Sequence, residues 1–145
     1  LSGKEQLLDC YSGVGLLSHH LAPHVAELYG IDRHPDAISD AAINLEATDN
    51  VSLYEGHVEE IVPMLDFKPD VIVVDPPVTG LSKDALSIVV KQKAQKLIYV
   101  SSDVATLARD SKQLKKSGYR PVRLCGFDML PQTFHMALIM VWEKG

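Results

Sequence analysis

Two carboxylates and a glycine turn hold the spacing at which an adenosine can be gripped. Asp9-Cys10-Tyr11-Ser12-Gly13-Val14-Gly15 combines an acid with two glycines, and glycine allows both a tight turn and close approach of a ligand to backbone N–H groups. Asp32 follows Gly13 by 19 residues, near the roughly 20-residue interval at which an acid reaches both ribose hydroxyls of an adenosine. The pair fits S-adenosylmethionine and NAD equally well. His57 opens the turn after the next expected strand, where an adenine edge would lie with either cofactor, although a lone histidine is as readily a surface residue.

Asp75-Pro76-Pro77 divides those two cofactors. The run follows Val71-Ile72-Val73-Val74, and prolines cannot continue a strand ladder, so the chain must leave the sheet stiffly and carry the Asp75 carboxylate into the ligand crevice. A hydride-transfer enzyme has no use for such a group at that point. An enzyme that methylates nucleobases does, because the rigid acid, with Pro76 and Pro77, fixes an acceptor beside the base.

The elements that must position these groups read as β-α units from end to end, with no repeat or Ser/Pro/Gly-rich linker. Strands are expected at Leu7–Cys10, Glu27–Ile31, Val51–Glu55, Val71–Val74 and Lys96–Ser101. Helices are expected over Leu16–Leu21, from Pro35 with Ile38, Ala41, Ala42 and Leu45 facing the sheet, over Val58–Leu65 to near Pro63, from a Ser82 cap to about Lys93, and from an Asp103 cap to Lys116. Tyr119–Cys125 and His135–Glu143 have no helix between them and should pair antiparallel. The fold class is therefore α/β: a Rossmann-like seven-stranded sheet of the Class I methyltransferase kind, mostly parallel with a C-terminal antiparallel hairpin, in one domain over 1–145.

The 145 residues are 46% hydrophobic and 23% charged, which excludes disorder and a disulfide scaffold; Cys10 and Cys125 read as two partly buried thiols. No apolar run nears the roughly 20 residues of a membrane span, and Leu1-Ser2-Gly3-Lys4 lacks a signal-peptide layout, so a soluble, cytoplasmic protein without a membrane partner is expected. Leu1 is not Met, and a piece of a longer chain is expected. Residues 1–66 carry two basic and twelve acidic side chains, residues 67–145 twelve basic and seven acidic. Only the second half could face a polyanion.

The motifs together resemble the methyltransferase domain of the RNA uracil-C5 methyltransferases. The resemblance rests on Leu8 to Gly15, Gly30-Ile31-Asp32, Asp75-Pro76-Pro77-Val78-Thr79-Gly80-Leu81, Tyr99-Val100-Ser101-Ser102-Asp103-Val104-Ala105-Thr106-Leu107-Ala108-Arg109-Asp110 and Asp128-Met129-Leu130-Pro131-Gln132-Thr133-Phe134-His135. It implies S-adenosylmethionine as cofactor, held at Tyr11, Ser12, Gly13, Gly15, Leu16, Asp32, His57 and Asp75. It also implies an RNA partner, reached mainly through preceding modules that these residues do not include.

Five positions depart from that family. Ser102 stands where it has a nucleophilic Cys, Ala137 where it has a general-base Glu, Val78 for an Arg, Ser12 for a Cys and His57 for an acid. Uracil C5 is too weak a nucleophile to take a methyl unaided; the family adds a thiolate at C6 and later removes the C5 proton. A serine hydroxyl lacks the low pKa of a thiol, and Ala137 accepts no proton. Three readings follow: a cofactor-binding domain whose uracil chemistry is lost or redirected, an RNA methyltransferase acting on an exocyclic amine beside Asp75, and, last, an NAD-dependent oxidoreductase. Loss of the base alone costs roughly 10²–10⁴-fold. Incubation of the purified protein with cofactor and RNA should therefore yield no 5-methyluridine on nucleoside mass spectrometry, and its detection would refute the assignment of Ser102 and Ala137.

Overall fold

The structure, a computed structural model, describes residues 1–128 and 136–145. Seven strands form one sheet: β1 (Gln6–Cys10), β2 (Glu27–Asp32), β3 (Val51–Glu55), β4 (Val71–Val74), β5 (Lys96–Ser101), β6 (Tyr119–Phe127) and β7 (Ala137–Lys144). Their order is β3-β2-β1-β4-β5-β7-β6. The first five run parallel, and β7 lies antiparallel to both β5 and β6. This is the Class I methyltransferase topology expected from the sequence. All four residues of β4 are buried, which is why its β-branched apolar run belongs in the middle of a parallel sheet covered on both sides.

Five helices connect the strands: α1 (Leu16–Leu21), α2 (Pro35–Asn44), α3 (Val58–Ile61), α4 (Lys83–Lys91) and α5 (Val104–Lys116). Leu86 and Val89 of α4 and Leu107 and Leu114 of α5 pack with Leu8, Ile72, Val74, Leu97, Tyr99 and Trp142 on one face. Leu7, Leu28, Val71 and Val73 meet Ala22 and Val25 on the other. Both expected caps form: Ser82 Oγ accepts from Ala85 N at 3.0 Å and Asp103 Oδ1 from Thr106 N at 2.7 Å. Each satisfies a backbone donor that the first helical turn leaves open.

Several sequence expectations shift. Pro63 divides the third helix, which is α-helical to Ile61 and a 3₁₀ turn over Val62–Met64, because proline offers no N–H to a continuing α-helix. In α2 the inward residues are Ala41 and Leu45, with Ile38 half-buried, whereas Ala42 is turned to solvent. Cys10 is fully buried, unlike half-buried Cys125. The hairpin strands run to Phe127 and from Ala137; His135, expected to start the last strand, lies outside the described residues, as does the rest of the motif from Met129. On the edge strand β6, a register irregularity between Pro121 and Arg123 falls where a proline deletes a ladder donor, a defect that an edge tolerates.

An acid lies inside this core. Asp9 is fully buried in β1, and its Oδ2 accepts from Ser18 Oγ of α1 at 2.6 Å, while Oδ1 has no partner. Burial, outweighing that hydrogen bond, raises its pKa from 3.8 to about 6, with Asp75 and Asp32 adding repulsion. Between those values the folded state holds a proton that the unfolded chain has released, so this group makes stability fall as pH rises from about 4 to about 6. Asp9→Asn keeps an acceptor for Ser18 and removes the charge. In urea titrations it should be more stable than the wild type at pH 7.5, by up to about 2–3 kcal/mol, with the gap closing near pH 4. A gap that does not vary with pH would mean that Asp9 does not titrate in this window.

Candidate functional site

The loops leaving β1, β2, β3 and β4 at their carboxyl ends enclose a cleft of about 1020 Å³. Its walls include Tyr11, Asp32, His57, Asp75, Pro76 and Pro77, so six of the residues singled out in the sequence meet there. Tyr11 turns the chain out of β1 in the left-handed region, at φ 65°. Ser12 N donates to Ile31 O at 2.9 Å and Gly13 N to Asp32 Oδ2 at 2.9 Å, while His34 N donates to Asp32 Oδ1 at 2.9 Å. Asp32 therefore ties the glycine turn to the β2 end through one hydrogen bond on each oxygen, and each oxygen keeps a lone pair for a ligand. His57 is the exposed residue that precedes α3.

The glycine turn divides its labour. A Cβ at Gly13 (φ +54°) would meet no atom within 4 Å, so backbone there faces open space. A Cβ at Gly15 (φ +82°) would stand 2.9 Å from Leu45 Cδ1 and 3.3 Å from Ala41 Cβ; this glycine lets α2 pack against the turn. Ser12 is buried with its Oγ unpartnered, and Leu16 is 65% exposed. Ser12, Gly13, Gly15 and Leu16 do not line the cleft wall. The turn reaches the cleft through Tyr11 and through the amide that Gly13 gives to Asp32.

Asp75 is reached by solvent across the cleft, yet enough protein surrounds its carboxyl to raise its pKa above the ordinary value. Asp9, buried behind the cleft wall, lies close enough to both Asp75 and Asp32 to sense their charge. Three acids thus converge at the ends of β1, β2 and β4. The cleft wall is of mixed charge, with Arg33, Lys83 and Arg109 beside Asp32, Glu59, Asp75 and Asp110.

Residues 78–81, just beyond Asp75-Pro76-Pro77, are gripped by α5. Asp110 is 2% exposed and accepts from Tyr99 Oη at 2.6 Å, Leu81 N at 2.9 Å and Arg109 Nε at 2.8 Å. Arg109 Nη2 reaches Thr79 O at 3.1 Å and Leu81 O at 3.0 Å, and Thr106 Oγ1 donates to Val78 O at 3.2 Å. Burial, followed by the bond to Asp110, drives the Tyr99 phenol upward in pKa, so it remains a donor. Reading the sequence assigned Tyr99, Thr106, Arg109 and Asp110 no task. The available signal was an acid between Leu107 and Leu114 in the apolar stripe of α5, where a charge demands partners.

Ser102 and Ala137 lie apart from the cleft wall. Ser102 is exposed between β5 and the Asp103 cap, and Ala137 is the half-buried first residue of β7. The β5–β7 register ends at Ser101 opposite Leu138, one residue short of Ser102 and of Ala137. Among the described residues no cluster of His, Cys, Asp or Glu is disposed to hold a metal ion, and no helix is long and apolar enough to cross a membrane.

The profile of the tRNA (uracil-5-)-methyltransferase family matches residues 2–144. An uncharacterised RNA methyltransferase of Halalkalibacterium halodurans is 39% identical over 150 residues, covering 99% of this chain and 32% of the relative. One from Clostridium tetani is 37% identical over 146 residues, covering 97% and 32%. The chain thus spans about a third of the length of these relatives. Among solved structures, the Pyrococcus abyssi tRNA (uracil-54, C5)-methyltransferase in complex with S-adenosyl-L-homocysteine superposes with a TM-score of 0.84 at 31% identity, over 96% of this chain and 34% of that one. The N-methyltransferase NodS of Bradyrhizobium japonicum shares the fold alone, at 20% identity and a TM-score of 0.80 over 97% of this chain and 86% of that one.

Gly80 lies close against α5. At φ +74° its Cβ would lie 2.6 Å from Arg109 Nη2 and 2.8 Å from Asp110 Oδ2. Gly80→Ala combines left-handed strain of roughly 1–2 kcal/mol with that collision, and chemical denaturation should show a loss of about 2 kcal/mol or more. A loss below about 0.5 kcal/mol, the usual range of a neutral surface change, would refute the close fit.

Proposed function

Because the chain belongs to the tRNA (uracil-5-)-methyltransferase family, we propose that it binds S-adenosylmethionine in the cleft at the carboxyl ends of the strands and that its acceptor chemistry has diverged from uracil C5. The observation that carries this reading is the convergence of Asp32, Asp75 and Tyr11 on one cleft at the ends of β2, β4 and β1. The residues present fit the cofactor. Backbone at Gly13 opens onto space that a side chain would fill, the two oxygens of Asp32 retain lone pairs for ribose hydroxyls, and Asp75 offers a carboxylate on the cleft wall to a sulfonium charge. When bound, the cofactor supplies an electrophilic methyl group. His57 takes the adenine edge in this reading, with Ser12, Gly15 and Leu16 shaping the turn rather than touching the ligand.

Ser102 and Ala137 are the acceptor-side positions in this reading, and neither can activate uracil: the hydroxyl has no thiolate form, and the methyl side chain takes no proton. Asp75-Pro76-Pro77, by contrast, is intact at the cleft wall. That favours, as a second reading, methylation of an exocyclic amine on RNA, a nucleophile that needs no covalent activation. NAD binding is set aside, since a closing antiparallel hairpin and Asp-Pro-Pro have no role in hydride transfer.

RNA contact is proposed to rest mainly with parts of the longer protein, in the cytoplasm. Helices α4 and α5 start at the cleft rim, capped by Ser82 and Asp103, and end at Lys91 and at Lys115-Lys116. Apart from Lys83, which lines the cleft, their lysines lie toward the rim where the strands begin, and Arg120 is paired with Glu143 at 2.9 Å. Any RNA binding by residues 1–145 should be weak, salt-sensitive and sequence-blind.

Calorimetric titration tests the cofactor assignment. S-adenosylmethionine and S-adenosylhomocysteine should bind and NAD should not, and Asp32→Ala should weaken binding by roughly 1.5–3 kcal/mol, the worth of hydrogen bonds to a charged group. Unchanged affinity in that variant would discard the site. Labelled methyl transfer to bulk RNA separates the readings, since an N-methylated nucleoside supports the second and no product supports a cofactor-binding domain.

A further inference from the structure

The loop from β4 to α4 is held from its far side. Asp75 is tied to the sheet by its N–H, which donates to Cys10 O at 3.2 Å, and the next two residues, as prolines, have no N–H to give. Three of the following four residues are fastened instead to α5. Thr106 holds the Val78 carbonyl, Arg109 those of Thr79 and Leu81, and Asp110 the Leu81 amide. Gly80 N closes the turn onto Pro77 O at 2.8 Å. Asp75 is therefore suspended between a sheet anchor and a clamp four to six residues away, joined by two stiff prolines.

We infer that Tyr99, Arg109 and Asp110 are positioning residues that, by clamping residues 79–81, fix where the Asp75 carboxylate stands and so set how strongly the cleft prefers a cationic sulfonium ligand over its neutral thioether. Arg109 is a fork and not merely a charge: Nε serves the Asp110 carboxylate while Nη2 serves two loop carbonyls, a geometry that lysine cannot copy. Tyr99 aims the same carboxylate from β5. If the clamp is released, the prolines no longer have a fixed far end, and Asp75, already exposed on the cleft wall, loses its fixed place there and is screened further by solvent. The ligand preference rests on the cofactor reading above; the placement of Asp75 does not.

The test uses the 145-residue chain with Arg109→Ala, Arg109→Lys, Asp110→Asn and Tyr99→Phe, beside Leu114→Ala as a variant destabilised at the far end of α5. Two quantities are measured: the titration of the Asp75 carboxyl by ¹³C NMR without ligand, and the ratio of S-adenosylmethionine to S-adenosylhomocysteine affinity. In Arg109→Ala and Asp110→Asn the Asp75 titration should move down toward the ordinary carboxylate value. The affinity ratio should fall several-fold, toward that of Asp75→Asn. Arg109→Lys should not rescue either readout, and Leu114→Ala should move neither. Should Asp110→Asn fail to fold, Tyr99→Phe removes one hydroxyl from the same carboxylate and should shift both readouts in the same direction. An Asp75 titration equal to the wild type's in the folded clamp variants would overturn the inference. A shifted titration in a protein that binds neither ligand would uphold the clamp and sink the cofactor assignment instead.

Discussion

A carboxylate placed in the apolar stripe of a helix costs several kcal/mol unless donors meet it, and Asp110, between Leu107 and Leu114, is met by three. They come from β5, from the neighbouring residue of α5 and from the loop after β4. The helix, the strand and the loop cannot shift independently without leaving a charge buried and unpaired. The wall of the cleft between Asp75 and α5 owes its shape to that requirement. Gly80 follows from it as well, because a loop drawn this close to a guanidinium and a carboxylate has no room for a side chain.

The elements that carry a local signal were legible in the sequence. Val71 to Val74 could only be a buried strand, Ser82 and Asp103 announced their helices, and the spacing of Asp32 from Gly13 matched a contact that exists, Gly13 N to Asp32 Oδ2. Contacts decided by tertiary packing were not legible. The phase of α2, with Ala41 inward and Ala42 outward, depends on how α2 meets the glycine turn. The use of Gly15 for helix packing and of Arg109 for loop carbonyls depends on pairs 26 to 30 residues apart in sequence, as in Arg109 to Thr79. The α3 region, expected as one short helix ending near Pro63, leaves α geometry at Val62 for a 3₁₀ turn.

The scaffold and the reactive groups are separable in this molecule. Tyr99, Arg109, Asp110 and Gly80 bear on the geometry of the cleft and are matched to one another atom by atom. Ser102 is exposed and Ala137 is the half-buried first residue of a strand, and neither belongs to the clamp. Chemistry at exposed Ser102 can therefore change at little structural cost, whereas a change in the clamp is felt at the cleft, in the loop and in the core together.

The position of β7 dictates an order of assembly. Residues 137–144 follow β6 along the chain but stand between β5 and β6 in the sheet, and they bring in Trp142, the largest of the fully buried side chains. During vectorial synthesis β1 to β5 can pair as they emerge, each with a neighbour already made. β6 cannot, because its sheet partner is the segment still to come. Until β7 slots in, the margin of β5 is an open row of backbone donors and acceptors, the kind of edge that invites association between chains. Completion of the sheet thus waits on its penultimate strand in space, which is the final strand in time.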